Sequence, residues 1–206
     1  MEKVCQNWPK EAFDDALINP NSWKEFEENA KAAAAEIYRL PDMKAAKAKL
    51  EELLKELEAN KLVAVGGDEY PALAKLFSDL KSEGKEIYTD KFEIAEEVPT
   101  ADLGISTAEF CVGETGSLCV DNYSYEARVT SMMPITNLVF VNANYTTKDV
   151  DSAFKVIARV FKKGYMGFVT GPSRTADIER VLSLGVHGPN RLIIFAMDSG
   201  LERGNN

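Results

Sequence analysis

A chain of 206 residues, 45% of them hydrophobic, is long enough to bury a substantial core and short enough to do so as one domain. Its 24 Lys and Arg stand against 33 Asp and Glu, a formal net charge of −9 that disfavours any sequence-independent hold on phosphate backbones, so neither nucleic acid nor an anionic membrane is an expected partner. The three cysteines, Cys5, Cys111 and Cys119, are too few and too unevenly spaced for a disulfide framework, and they form no Cys-x-x-Cys pair for zinc or an iron–sulfur cluster.

Met1–Pro9 lacks the apolar core of a secretory signal, and no later stretch is long enough to span a bilayer, which makes the expected location cytoplasmic, with reduced thiols and no membrane insertion. Residues 1–60 read as helical. Ser22-x-x-Glu25 has the spacing of a capping box, and alanine-rich Asn29–Leu40 carries Ile37 and Leu40 at helical spacing. After the Pro41-Asp42 break, Met43–Asn60 sets Leu50, Leu53, Leu54 and Leu57 on one face, the stripe of a helix lying against a sheet.

From Leu62 the texture changes. Leu62-Val-Ala-Val-Gly-Gly-Asp reads as a buried strand ending in a glycine turn, Tyr70–Leu80 as a helix and Glu86–Tyr88 as a second strand. Glu109–Asp121 reads as a hairpin with its turn around Glu114–Gly116. Beyond it come a helix over Tyr125–Met133, a strand over Asn137–Val141, a helix over Asp149–Lys163, a strand over Gly167–Thr170, a helix starting near Ser173–Thr175 and a strand over Leu192–Met197. This alternation predicts an α/β fold, a mostly parallel sheet flanked by helices on both faces. Residues 1–206 read as one domain, in which the helical segment 1–60 packs on the body 61–206.

Three glycine-centred loops are the places to look for chemistry. Gly171-Pro-Ser173-Arg174-Thr175-Ala-Asp177 follows a strand, and its backbone N–H groups, hydroxyls and Arg174 suit an anion; Ser173 or Thr175 can equally cap a helix, and Asp177 and Glu179 would repel phosphate. Glu114, between Gly113 and Gly116 and beside Thr115 and Ser117, is placed to act as nucleophile, base or acceptor, or is simply an exposed acid at a turn. His187, beside Gly188 in Gly185–Pro189, is the sole histidine; with no partner motif it argues against metal and for a structural hydrogen bond. Arg128 can hold a carboxylate bidentately or decorate a helix. No Gly-x-Gly-x-x-Gly follows a strand and no Walker-type loop occurs, so a self-contained nicotinamide dehydrogenase has no motif to stand on.

Taken in order, Ala101-Asp-Leu-Gly-Ile, Gly113-Glu-Thr-Gly-Ser-Leu, Met133-Pro134, Gly171–Glu179 and Gly185–Pro189 closely resemble the LUD-domain family, in particular its lactate-utilisation protein C group. The resemblance implies a fold similar to the sugar-phosphate isomerase and CoA-transferase (NagB/RpiA-like) class and a role in oxidising L-lactate to pyruvate. It also implies that any iron–sulfur cluster belongs to a partner protein, this chain being a cluster-free accessory or regulatory component with no evident cofactor of its own. It further implies that Glu114, Thr115, Arg128, Ser173, Thr175, Asp177 and His187 line one cleft; Glu114 is the candidate catalytic residue, and the others, with Gly116, Ser117, Gly171, Arg174 and Gly188 of the same loops, are the candidate ligand-binding residues. The alternative is an enzyme acting on a CoA ester or sugar phosphate, with Glu114 as nucleophile or base; a small carboxylate is the other ligand in view. Where the family pattern has Leu-Leu-Pro followed by histidine, this chain reads Met132-Met133-Pro134-Ile-Thr-Asn137, and an amide cannot titrate.

Overall fold

Asp42 shows how locally the elements are specified: its carboxylate accepts from Ala45 N–H at 2.8 Å and starts a helix whose Leu50, Leu53 and Leu54 are buried on the sheet, as the leucine spacing predicts. The computed structural model describes residues 2–3, 12–13, 17–18, 21–163, 165–175, 183–184 and 187–204. In chain order the first elements are β1 (Glu2–Lys3), α1 (Ser22–Ala32), β2 (Glu36–Leu40), α2 (Met43–Glu56), β3 (Lys61–Ala64), α3 (Pro71–Ser82) and β4 (Glu86–Tyr88). Then come α4 (Lys91–Glu97), β5 (Leu103–Thr107), β6 (Phe110–Val112), β7 (Ser117–Asp121), α5 (Tyr125–Met132), β8 (Thr136–Asn142) and β9 (Thr146–Thr147). The last are α6 (Val150–Val160), β10 (Phe161–Lys163), β11 (Met166–Val169), β12 (Arg174–Thr175), β13 (Ser183–Leu184) and β14 (Arg191–Met197).

Six strands in the order β2-β14-β8-β5-β3-β4, all parallel, form the main sheet. One face, carrying Leu62, Leu138, Phe140, Ile193 and Phe195, is covered by α2 and α3. On the opposite face Val63 packs against Ile94 of α4 and Val129 of α5. Further along that face, Val139, Val141, Ile194 and Ala196 meet Phe26 and Ala30 of α1 together with Cys111, Leu118 and Val120 of a second sheet, ordered β11-β7-β6-β9. The far side of the second sheet, with Phe110, Val112 and Cys119, is closed by Ala153, Val156 and Val160 of α6. Alternate residues of a strand thus serve different layers, as the pleat requires.

Several expectations change. Asn29–Leu40 is not a continuous helix: α1 ends at Ala32, Ala34 adopts φ +66, and Glu36–Leu40 is a parallel edge strand on β14. Bidentate contact of Arg191 with Glu36 ties those two strands together. Ser22 is the first helical residue rather than the cap; Asn21 precedes α1 without a side-chain capping bond, so the capping box does not form. The helix expected over Asp149–Lys163 stops at Val160, and Phe161–Lys163 pairs with Glu2–Lys3. The strand near Gly167 lies antiparallel to β7 in the second sheet, outside the parallel one. In place of a helix start, Arg174–Thr175 pairs with Ser183–Leu184, while Asp177 lies outside the described residues. Among the described residues, no helix is long and apolar enough to cross a membrane.

Candidate functional site

The hairpin tip and the loop after β11 come together against α1. Ser117 Oγ lies 2.5 Å from Thr170 Oγ1, and Asn29 Nδ2 donates to the carbonyls of Gly113 and Glu114 at 3.0 Å each. Arg174 donates to the Ala33 carbonyl at the end of α1. The glycines are required by this packing: a Cβ on Gly116 (φ +65) would sit 2.2 Å from Ala30 N, and one on Gly171 (φ +72) would sit 2.1 Å from Ala33 O. The close approach is therefore by helix backbone.

Glu114 is exposed, and its Oε2 accepts from Val150 N–H at 3.1 Å, sharing with Asp149 the free N–H groups that open α6. The Thr115 hydroxyl is buried without a partner among the described residues. Ser173 N–H donates to the Pro189 carbonyl at 2.8 Å, and a Cβ on Gly188 would lie 3.2 Å from Ser173 Cβ, so those two loops are neighbours; His187 is exposed. Arg128 belongs elsewhere: its Nη1 donates to the carbonyls of Asn122 (2.7 Å) and Tyr123 (3.0 Å) and holds the turn from β7 into α5. Asn137 is a core residue, 2% exposed, accepting from Ser106 Oγ at 3.0 Å across adjacent strands.

The strand order points to a different place. From β3 the chain passes through α3 to β4 on one side, then returns through α4 to β5 on the other, so the order reverses between β3 and β5. Ligands of open α/β sheets bind outside the carboxyl ends of strands at such a reversal. A crevice of about 690 Å³ opens there. It is lined by Ala64, Val65, Gly66 and Gly67 at and just beyond the end of β3, with Thr107 and Glu109 at and beyond the end of β5. Thr89, Asp90 and Lys91 come from the end of β4, Phe77, Ser78 and Lys81 from α3, and Asp121, Ser124, Glu126 and Ala127 from the β7–α5 side. Among the described sequence-predicted site residues, none lines this crevice.

The crevice is acidic, with Asp68, Glu69, Asp90, Glu109, Asp121 and Glu126 facing Lys81 and Lys91. Glu109, 6% exposed, accepts from Arg203 at 2.6 Å, and the same guanidinium reaches Glu69 at 2.7 Å and lies over the Tyr70 ring. Burial, then the nearby Glu109 and Glu69, push the Tyr70 hydroxyl well above its ordinary pKa, so it stays a neutral phenol. Gly66 has φ +95, and a Cβ there would meet Thr107 Cγ2 at 2.7 Å, so glycine is needed where β3 turns away. Among the described residues no group of three or more His, Cys, Asp or Glu is arranged to hold a metal ion. The glycine turn after Leu62–Val65 was the sequence signal for this site, but without the strand order nothing joined it to Thr107, Glu109 or Asp90.

A protein-family model described as the LUD domain matches residues 23–197. Lactate utilization protein C 1 of Bacillus mycoides (strain KBAB4) is 32% identical over 114 residues, 53% of this chain and 49% of that protein. Lactate utilization protein C of Bacillus subtilis (strain 168) is 28% identical over 131 residues, 59% of this chain and 55% of that protein. The chain thus aligns with about half the length of these curated relatives. A crystal structure of a DUF162 family protein from Deinococcus radiodurans shares the fold, with TM-score 0.63 and 19% identity over 86% of this chain and 96% of that one. The LUD match takes in every strand of the main sheet and both loops packed on α1, and the chain belongs to the LUD-domain family.

Proposed function

We propose that this protein is a cytoplasmic component of L-lactate oxidation to pyruvate, carrying no iron–sulfur cluster of its own and working beside a cysteine-rich iron–sulfur partner. The observation that carries the reading is the 32% identity to lactate utilization protein C 1 over 114 residues. In this reading the crevice at the β3/β5 reversal is the working site, because it is a cavity of ligand size where the topology of an open sheet puts one. The competing reading, an enzyme acting on a CoA ester or sugar phosphate through Glu114, has less support. The Glu114 carboxylate is engaged at the start of α6, where it accepts from Val150 N–H.

The test is genetic and biochemical. Loss of the gene abolishes growth on L-lactate but not on glucose, and the tagged protein brings down a protein containing iron and acid-labile sulfide. Undiminished growth on lactate together with a clean monomer or homodimer would contradict the proposal.

A further inference from the structure

We propose that the crevice binds a ribonucleoside moiety, with Asp90 receiving the ribose hydroxyls; the inference rests on the crevice being the working site. The β3–α3–β4 unit has the layout by which α/β sheets hold nucleosides: a strand, a glycine turn, a helix and a second strand with an acid at its carboxyl end. Gly66-Gly67 forms the turn, and Asp90 stands two residues beyond the end of β4 and lines the cavity. In that layout the acid beyond the second strand receives ribose hydroxyls, since an ionised carboxylate only accepts and a vicinal diol donates.

Asp90 is built for this. Its Oδ1 accepts from Phe92 N–H at 2.8 Å, which fixes the carboxylate, and among the described residues nothing else bonds that side chain. Phe77 and Ile87 supply apolar wall for a base. The cavity, at about 690 Å³, is far larger than a three-carbon acid needs and lies within the range of cofactor and drug-sized sites.

The same geometry limits the ligand. Where a dinucleotide site sets pyrophosphate on the glycine turn, this chain carries Asp68 and Glu69. Glu69 is paired with Arg203, but the Asp68 carboxylate there opposes a phosphate by like-charge repulsion, so a base and ribose are favoured over a 5′-phosphate at the turn.

Isothermal titration of the full chain with adenosine, 2′-deoxyadenosine and AMP tests this, repeated with Asp90→Asn, which keeps the α4 cap because asparagine caps as well as aspartate. Saturable adenosine binding is expected, weakened tenfold or more by loss of the 2′-hydroxyl, by the added phosphate and by Asp90→Asn, with an unchanged circular dichroism spectrum for the variant. No adenosine binding, or equal affinity for the 2′-deoxy compound and for the variant, overturns the nucleoside assignment. Ser78→Trp, which fills the mouth from an exposed helix position, distinguishes the place of the working site from the class of its ligand. If it abolishes growth on lactate while adenosine does not bind, the crevice stands as the working site and the ligand class falls. If growth persists, the working-site reading itself falls, and this inference with it.

Discussion

Arg203 donates through Nη2 to Glu109 at 2.6 Å across a sequence separation of 94 residues, and through Nη1 to Glu69 at 2.7 Å. A residue near the C-terminus thereby closes one wall of the crevice. The Glu109 side chain is 5% exposed, so its charge is compensated by the protein rather than by water.

Arg203→Met removes that cation from beside a carboxylate in the crevice wall. Breaking a buried pair from one side costs about 3 kcal/mol. Urea denaturation at pH 7 should show a loss of this size, whereas a loss under 1 kcal/mol would mean that Glu109 finds solvent without Arg203.

Two glycine substitutions separate backbone strain from packing. Gly84, at the end of α3, has φ +92 and open space around its missing Cβ, so Gly84→Ala costs only the left-handed conformation, about 1 kcal/mol. Gly116→Ala adds a Cβ 2.2 Å from Ala30 N and 2.8 Å from Ala30 Cα, both backbone atoms of α1, and should cost about 3 kcal/mol or more. Melting temperatures of the two variants should differ clearly, in that order.

Asp149 caps α6, its Oδ1 accepting from Ser152 N–H at 2.7 Å, and its pKa is lowered chiefly by hydrogen bonding from Ser152. A depressed carboxyl pKa adds stability above the unfolded-state value, near pH 4, and loses it as pH falls through the folded-state value. Asp149→Ala should therefore destabilise by about 1 kcal/mol at pH 7, and the gap between variant and parent should close as pH falls below about 4. A gap that stays constant down to pH 3 would contradict this origin.

Cys111 and Cys119 lie fully buried on opposite faces of the β6–β7 ladder, and burial raises both thiols far above the ordinary cysteine range. Ellman's reagent should titrate at most one thiol per native chain and all three once the chain is unfolded. Rapid labelling of two or three in the native state would mean that the second sheet opens.

What could be read in the sequence follows from how local each signal is. The leucines of α2 repeat at one period and meet one neighbour, so the helix and its target were both legible. The end of α1 was not, because the turn is made by Ala34 at φ +66, and an alanine in a run of alanines gives no stop signal. The hairpin over 110–121 was plain from its glycine-bounded turn. The purpose of those glycines was not, since close approach by a helix backbone and by a ligand demand the same missing Cβ. Gly104 shows the same ambiguity: a Cβ there would lie 2.0 Å from Thr130 O, so this strand glycine lets α5 seat on the sheet. The crevice depends on β5 crossing to the far side of β3, a relation between strands that no local pattern encodes.

Growth on L-lactate of two single variants at matched expression locates the working site. Ser78→Trp blocks the crevice, while Glu114→Gln keeps an acceptor for Val150 N–H and removes only the charge at the hairpin tip. Ser78→Trp should abolish growth, and Glu114→Gln should leave it unchanged. The reverse pattern would contradict the crevice as the working site and move that site to the hairpin loop.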